Sequence, residues 1–168
     1  MPRCWLVKSD PQTFGVDDLA RSPHRTTRWD GVRNYQARNL LRDEMRLGDR
    51  VLFYHSQSDP PAVVGTAAIV REGYPDPLQF DARSRYHDPG SRPDDPRWYS
   101  VDLRLERRFP RPLALSELRA TPGLEGMALL RRGSRLSVQP VTAEEWRIVL
   151  RLAGRTARPA AGRKRPAR

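Results

Sequence analysis

The chain has 168 residues and carries 31 Lys and Arg against 20 Asp and Glu, a formal net charge of +11. That length supports one well-cored domain, and 38% hydrophobic with 8% aromatic residues excludes a wholly disordered chain. One cysteine, Cys4, excludes an intramolecular disulfide, no Cys/His group has zinc-ligand spacing, and no apolar run of about 18 residues exists to span a bilayer.

The start M-P-R-C-W-L-V-K lacks the long apolar segment of a signal peptide, so the expectation is a reducing, cytoplasmic location without metal or cofactor. Cys4 to Lys8 reads as a short apolar strand that stops at Ser9-Asp10-Pro11, and Val16 to Arg21 as a short helical turn. A loop then leads to W-D-G-V-R-N-Y-Q-A-R-N, Trp29 to Asn39. Asp30-Gly31 is a turn signal and Asn34 a candidate N-cap. Ala37, Leu40, Leu41 and Met45 follow at helical spacing, with Gly48 as the stop. One face of that helix is core. Trp29, Arg33, Asn34, Tyr35 and Arg38 gather at its N-terminus, where free backbone N–H groups favour a phosphate or a polar base edge. Three other readings stand beside this one: Trp29 as a core aromatic, Asn34 as only a cap, and Arg33 and Arg38 as solvated helix charges.

Gly48 to Ser56 reads as a strand entered by a turn and Ala62 to Arg71 as its hairpin partner, joined through Asp59-Pro60-Pro61. Tyr74 to Pro96 is rich in Pro, Asp, Arg and Gly without periodicity and reads as an ordered, substrate-facing excursion rather than a linker. Trp98 to Arg107 alternates, placing Val101, Leu103 and Leu105 on one face, and Leu113 to Arg119 forms a short helix. Gly133 to Val141 alternates again. Thr142 and Glu145 have capping-box spacing and open a last helix to about Leu152. Strands separated by short helices, without regular β-α alternation, point to a compact barrel-like α/β domain over residues 1–152.

Residues 153–168 hold six of the 31 cations and no acid, leaving 25 against 20, or +5, in the body. Rich in Pro, Gly, Ala and Arg, this segment reads as a disordered basic arm for polyanions, with a solubilising tail as the alternative. Enzyme signatures are weak: no nucleophile elbow, phosphate-binding loop or dinucleotide fingerprint is present. His55 and Ser56, adjacent in a strand, point to opposite faces. Asp17-Asp18 and Asp94-Asp95 read as a helix start and a turn. No catalytic residue is assigned.

The runs W-L-V-K-S-D-P at Trp5 to Pro11, W-D-G-V-R-N-Y-Q-A-R-N, F-Y-H-S at Phe53 to Ser56, V-V-G at Val63 to Gly65, Y-P-D at Tyr74 to Asp76 and L-R-R-G-S-R-L-S-V-Q-P-V at Leu130 to Val141 stand in one order. Together they closely resemble the EVE domain family, from Trp5 to Leu152. The family usually carries Glu where this chain has Asp10. The resemblance implies an α+β, PUA-like fold, a bent mixed β-barrel with short peripheral helices, related to the YTH and ASCH domains. It also implies a module that binds DNA or RNA and reads a modified base such as methylated cytosine in an aromatic-lined pocket; with the weak enzyme signatures, the expectation is a monomer that acts without catalysis and touches no membrane. The alternatives are an enzyme acting on a modified base or nucleotide, and a small-ligand or protein-interaction domain.

Carried onto this sequence, the pocket draws on Lys8, Ser9, Trp29, Asn34, Tyr35, Phe53, His55, Ser56, Arg135 and Ser137. Trp29, with Tyr35 or Phe53, would stack on the base, while Ser56 and Asn34 would read its edge. Lys8, Arg33 and Arg135 would neutralise phosphates, with Arg38 a further phosphate contact. Phe53 as barrel core, His55 as a satisfied structural histidine, Ser9 as a turn cap and Ser137 as an exposed strand serine remain the competing readings.

Overall fold

The structure is a computed structural model that describes residues 2–154. The strands are β1 Cys4–Ser9, β2 Thr26–Trp29, β3 Arg50–His55, β4 Ala62–Pro75, β5 Tyr99–Ala114 and β6 Val138–Val141; the helices are α1 Val16–Arg21, α2 Tyr35–Asn39, α3 Leu115–Arg119 and α4 Ala143–Gly154. The strands form one mixed sheet in the order β2-β5-β4-β3-β1-β6. β1 and β3 run parallel and the other neighbours antiparallel. The fold is α+β, as the sequence predicts, with one difference from a barrel: the ladder does not close, and β2 and β6 are its ends. Register shifts recur along the β4–β5 pair, where each extra residue bends and twists the long strands.

Both faces of the sheet are covered, and strand alternation sorts side chains between two cores. Trp5 and Val7 of β1, with Val51 and Phe53 of β3, face one core that also takes Leu19 of α1 and Ala37 of α2. Leu6, Leu52 and Tyr54 face the other, beneath Leu118 of α3 and Trp146 and Val149 of α4. The expected capping box of α4 is present: Glu145 N–H donates to Thr142 Oγ1 at 3.1 Å, and Thr142 N–H to Glu145 Oε1 at 3.0 Å.

Several boundaries move, each for a tertiary reason. The helix after Asn34 continues beyond α2 as a π-helical turn, Leu40–Glu44, closed by Met45 N–H to the Leu40 carbonyl at 2.9 Å. Leu113 and Ala114 belong to β5, paired with Val63 and Ala62, rather than to the helix that follows. β6 begins only at Val138, because Gly133 turns the chain at φ +71°. α4 reaches Gly154, two residues beyond the helix end expected from sequence, with Ala153 2% exposed. The rest of the basic arm lies outside the described residues. No helix among those described is long and apolar enough to cross a membrane.

Candidate functional site

A cleft of about 670 Å³ opens where the end of β1, the loop from β2 to α2, and the excursion between β4 and β5 meet. The first wall follows from how β1 stops. Its parallel pairing ends with Ser56 N–H donating to the Ser9 carbonyl at 2.9 Å, after which the Asp10 carbonyl accepts from Thr13 N–H at 3.0 Å and Phe14 N–H at 2.8 Å. Asp10 Oδ1 accepts from Gln12 N–H at 2.9 Å, so the turn is fixed from both backbone and side chain. The Ser9 hydroxyl donates to the Phe14 carbonyl. Lys8, Asp10, Thr13 and Phe14 thereby line the cleft. Lys8 Nζ donates to the Ser134 carbonyl at 3.1 Å, and burial pulls its pKa down.

The second wall is the W-D-G-V-R segment. Trp29 is half-buried and stands edge-on to Phe53, ring centroids 5.6 Å apart at 81°. Gly31 has φ +74°, and a Cβ there would lie 2.9 Å from the Tyr86 ring, so glycine satisfies both the turn and the close approach. The third wall is the excursion itself, tied back by a buried acid. Asp76 accepts from Gly31 N–H at 2.9 Å, Arg33 Nη1 at 2.8 Å and Leu78 N–H at 2.9 Å, and it has no exposed surface. Arg33 donates through Nε and Nη2 to the Tyr86 carbonyl at 3.1 and 2.9 Å. This clamp holds Arg85 and Tyr86 against the cleft.

Of the residues selected from sequence, Lys8, Ser9, Trp29, Ser137 and Arg33 line the cleft. Others stand elsewhere. Phe53 has no exposed surface; its ring supports Trp29 from beneath and offers no free face to a base. Asn34 Oδ1 accepts from Ala37 N–H at 3.0 Å, which makes it the cap of α2, and it does not line the cleft. Tyr35 is 54% exposed and stacks on Trp98 at 4.9 Å, outside the cleft. His55 Nε2 accepts from Val16 N–H at 3.0 Å, and burial holds the imidazole pKa below its ordinary value despite Asp17 nearby.

Ser56 and the exposed Arg135 do not line the cleft. Arg38 donates to the Arg97 carbonyl at 2.6 Å and lies over the Tyr35 ring at 4.9 Å, outside the cleft. Arg33, expected on a phosphate, has its guanidinium committed to Asp76, Val32 and Tyr86. Sequence reasoning missed Asp10, Phe14, Arg85 and Tyr86. The last two lie in the excursion read as substrate-facing, but no local pattern marks which of its residues face inward.

The cleft therefore combines three aromatic rings (Phe14, Trp29, Tyr86), an ammonium, two carboxylates (Asp10, Asp30) and several hydroxyls. A planar heterocycle with a polar edge fits that chemistry. Along the sequence, a model of the EVE domain matches residues 3–152. The chain belongs to the EVE domain family. Thymocyte nuclear protein 1 of Homo sapiens is 44% identical over 165 residues, 88% of this chain and 72% of that protein. Among solved structures, a Pseudomonas putida protein is 45% identical with a TM-score of 0.85, covering 89% of this EVE domain chain and 99% of that one. Human THYN1 in complex with 5-methylcytosine-containing DNA is 42% identical with a TM-score of 0.85, covering 92% of this chain and 99% of that chain. Among the described residues of this EVE domain no group of three or more His, Cys, Asp or Glu could hold a metal.

Proposed function

We propose that this EVE domain reads a modified cytosine in DNA, taking the base out of its stack into the cleft and holding the ring against Trp29. The observation that carries the reading is the cleft itself: half-exposed Trp29, backed by Phe53, beside an ammonium and a carboxylate that can pair with a base edge. Its support from relatives is the likeness to human THYN1, whose partner is 5-methylcytosine-containing DNA. Extruding one base costs a few kcal/mol, about what one or two stacking contacts and an edge pair return.

The module acts by binding, without turnover. His55 is the natural general base to consider, but its Nε2 lone pair is taken by Val16 N–H and its pKa is depressed by burial. Ser56 lies outside the cleft.

Trp29→Ala tests the reading. Affinity for a 5-methylcytosine oligonucleotide should fall by roughly 1–3 kcal/mol and the preference over unmodified cytosine should shrink, as expected for a lost stacking ring. Parallel RNA and DNA oligonucleotides of one sequence decide which nucleic acid is preferred. A stability loss of roughly 3–5 kcal/mol with an unchanged modified-to-unmodified ratio would mark Trp29 as core only and overturn the assignment.

A further inference from the structure

Reading methylated cytosine in DNA sets a second problem besides sensing the methyl group. Thymine carries the same 5-methyl on the same ring, and the two bases differ at position 4 and at the adjacent N3: cytosine has an exocyclic amine, a donor, where thymine has a carbonyl, an acceptor. A pocket that only fitted the methylated ring would fill with thymine. Something in the cleft must present an acceptor at that edge.

Two carboxylates line the cleft, Asp10 and Asp30. Asp30 Oδ2 is occupied by Arg28 Nε at 3.0 Å. Asp10 forms no ion pair among the described residues, and its one side-chain bond there is Oδ1 accepting from Gln12 N–H at 2.9 Å. The second oxygen, Oδ2, is left as an acceptor in a half-buried position. That position is rigid. The Asp10 carbonyl holds Thr13 and Phe14, and Ser56 N–H pins the preceding residue, so the carboxylate is fixed at the junction of the sheet and the cleft. Lys8, two residues back on β1, brings the complementary donor, an ammonium at the same wall. An acceptor and a donor side by side match the 4-amino and N3/O2 edge of cytosine.

We infer that Asp10 is the specificity-determining residue that restricts the cleft to cytosine-type bases, its Oδ2 accepting the exocyclic amine and repelling the C4 carbonyl of thymine. This rests on the modified-base reading above. The carboxylate discriminates by what it leaves unpaired: with thymine inside, two acceptors face each other away from water, which costs far more than a missing contact. Asp10 is indifferent to the methyl, because the 4-amino group is common to cytosine and 5-methylcytosine.

The experiment uses the full chain and three DNA duplexes that differ at one central position opposite guanine: 5-methylcytosine, cytosine or thymine. Asp10→Asn is close to isosteric. Its amide oxygen still accepts Gln12 N–H, so the turn survives, and the amide NH₂ then points a donor where the carboxylate offered an acceptor. The 5-methylcytosine-to-thymine affinity ratio should fall about tenfold or more, the size of one edge contact. The 5-methylcytosine-to-cytosine ratio should hold within about twofold of the wild type. Asp10→Glu should restore discrimination against thymine, since it keeps the acceptor. The easier opening of the mismatched thymine pair acts equally on every variant and cancels in the comparison. An Asp10→Asn chain whose 5-methylcytosine-to-thymine ratio matches wild type overturns the role of Asp10 and leaves the reader standing. A wild-type chain that does not distinguish the three duplexes overturns the reader, and the role of Asp10 with it.

Discussion

At His55 a ring that sequence leaves open between pocket and scaffold is settled by one hydrogen bond. Nε2 accepts Val16 N–H at 3.0 Å, so the neutral imidazole holds the first turn of α1 against the end of β3. Burial depresses its pKa from the ordinary 6.5. A protonated Nε2 cannot accept that bond, and the unfolded chain takes up the proton first. Stability from this contact is therefore complete above pH 6.5 and is lost as pH falls from there through the folded-state value. Melting temperature should decline through that window for the wild type, and His55→Gln, whose amide oxygen accepts without titrating, should flatten the slope. An equal slope in both would assign the decline to other groups. Phe53 and Tyr54 teach the related lesson about legibility. Alternation predicts that they face opposite sides, and they do, but both sides of this sheet are core, so alternation alone cannot say which side holds the cleft.

Element by element, what the sequence reveals is local and what it conceals is tertiary. The Asn34 cap, the Thr142–Glu145 box and the turn at Asp30-Gly31 are legible because each is written within four residues. The wall formed by Arg85 and Tyr86 is not, since Asp76 places it by bonds to Gly31 and Arg33, 45 and 43 positions away. Asp76 is buried and Arg33 side-chain exposure is 20%, so removing the acid strands a guanidinium and two backbone donors. Asp76→Ala should destabilise the fold by about 3–5 kcal/mol in a denaturant titration. Asp76→Asn keeps the acceptor for Gly31 or Leu78 and should cost less. If the alanine variant is as stable as wild type, the clamp does not hold the excursion, and the third wall of the cleft needs another support.

Over the whole molecule, the excess of positive charge is divided between residues 1–154 and residues 155–168. Cations at the cleft differ in freedom: Arg33 and Arg28 are paired with Asp76 and Asp30, whereas Lys8 and Arg85 at its walls form no ion pair among the described residues. The cleft thus offers two cations without an ion pair among the described residues, and the sequence after Gly154 adds six more with no acid. Phosphate contacts of that kind add affinity without reading bases, because they release counterions from any sequence alike. Since Ala153 is 2% exposed in the α4 core, the cut that isolates the arm falls after Gly154. Deleting residues 155–168 should leave melting temperature and the 5-methylcytosine-to-cytosine ratio unchanged while weakening binding to every duplex. The log–log salt slope should shrink by about 0.7–0.9 for each phosphate contact removed. Truncation that leaves the slope intact would make the arm a passenger, and the affinity would then have to come from the cleft and the cations at its walls.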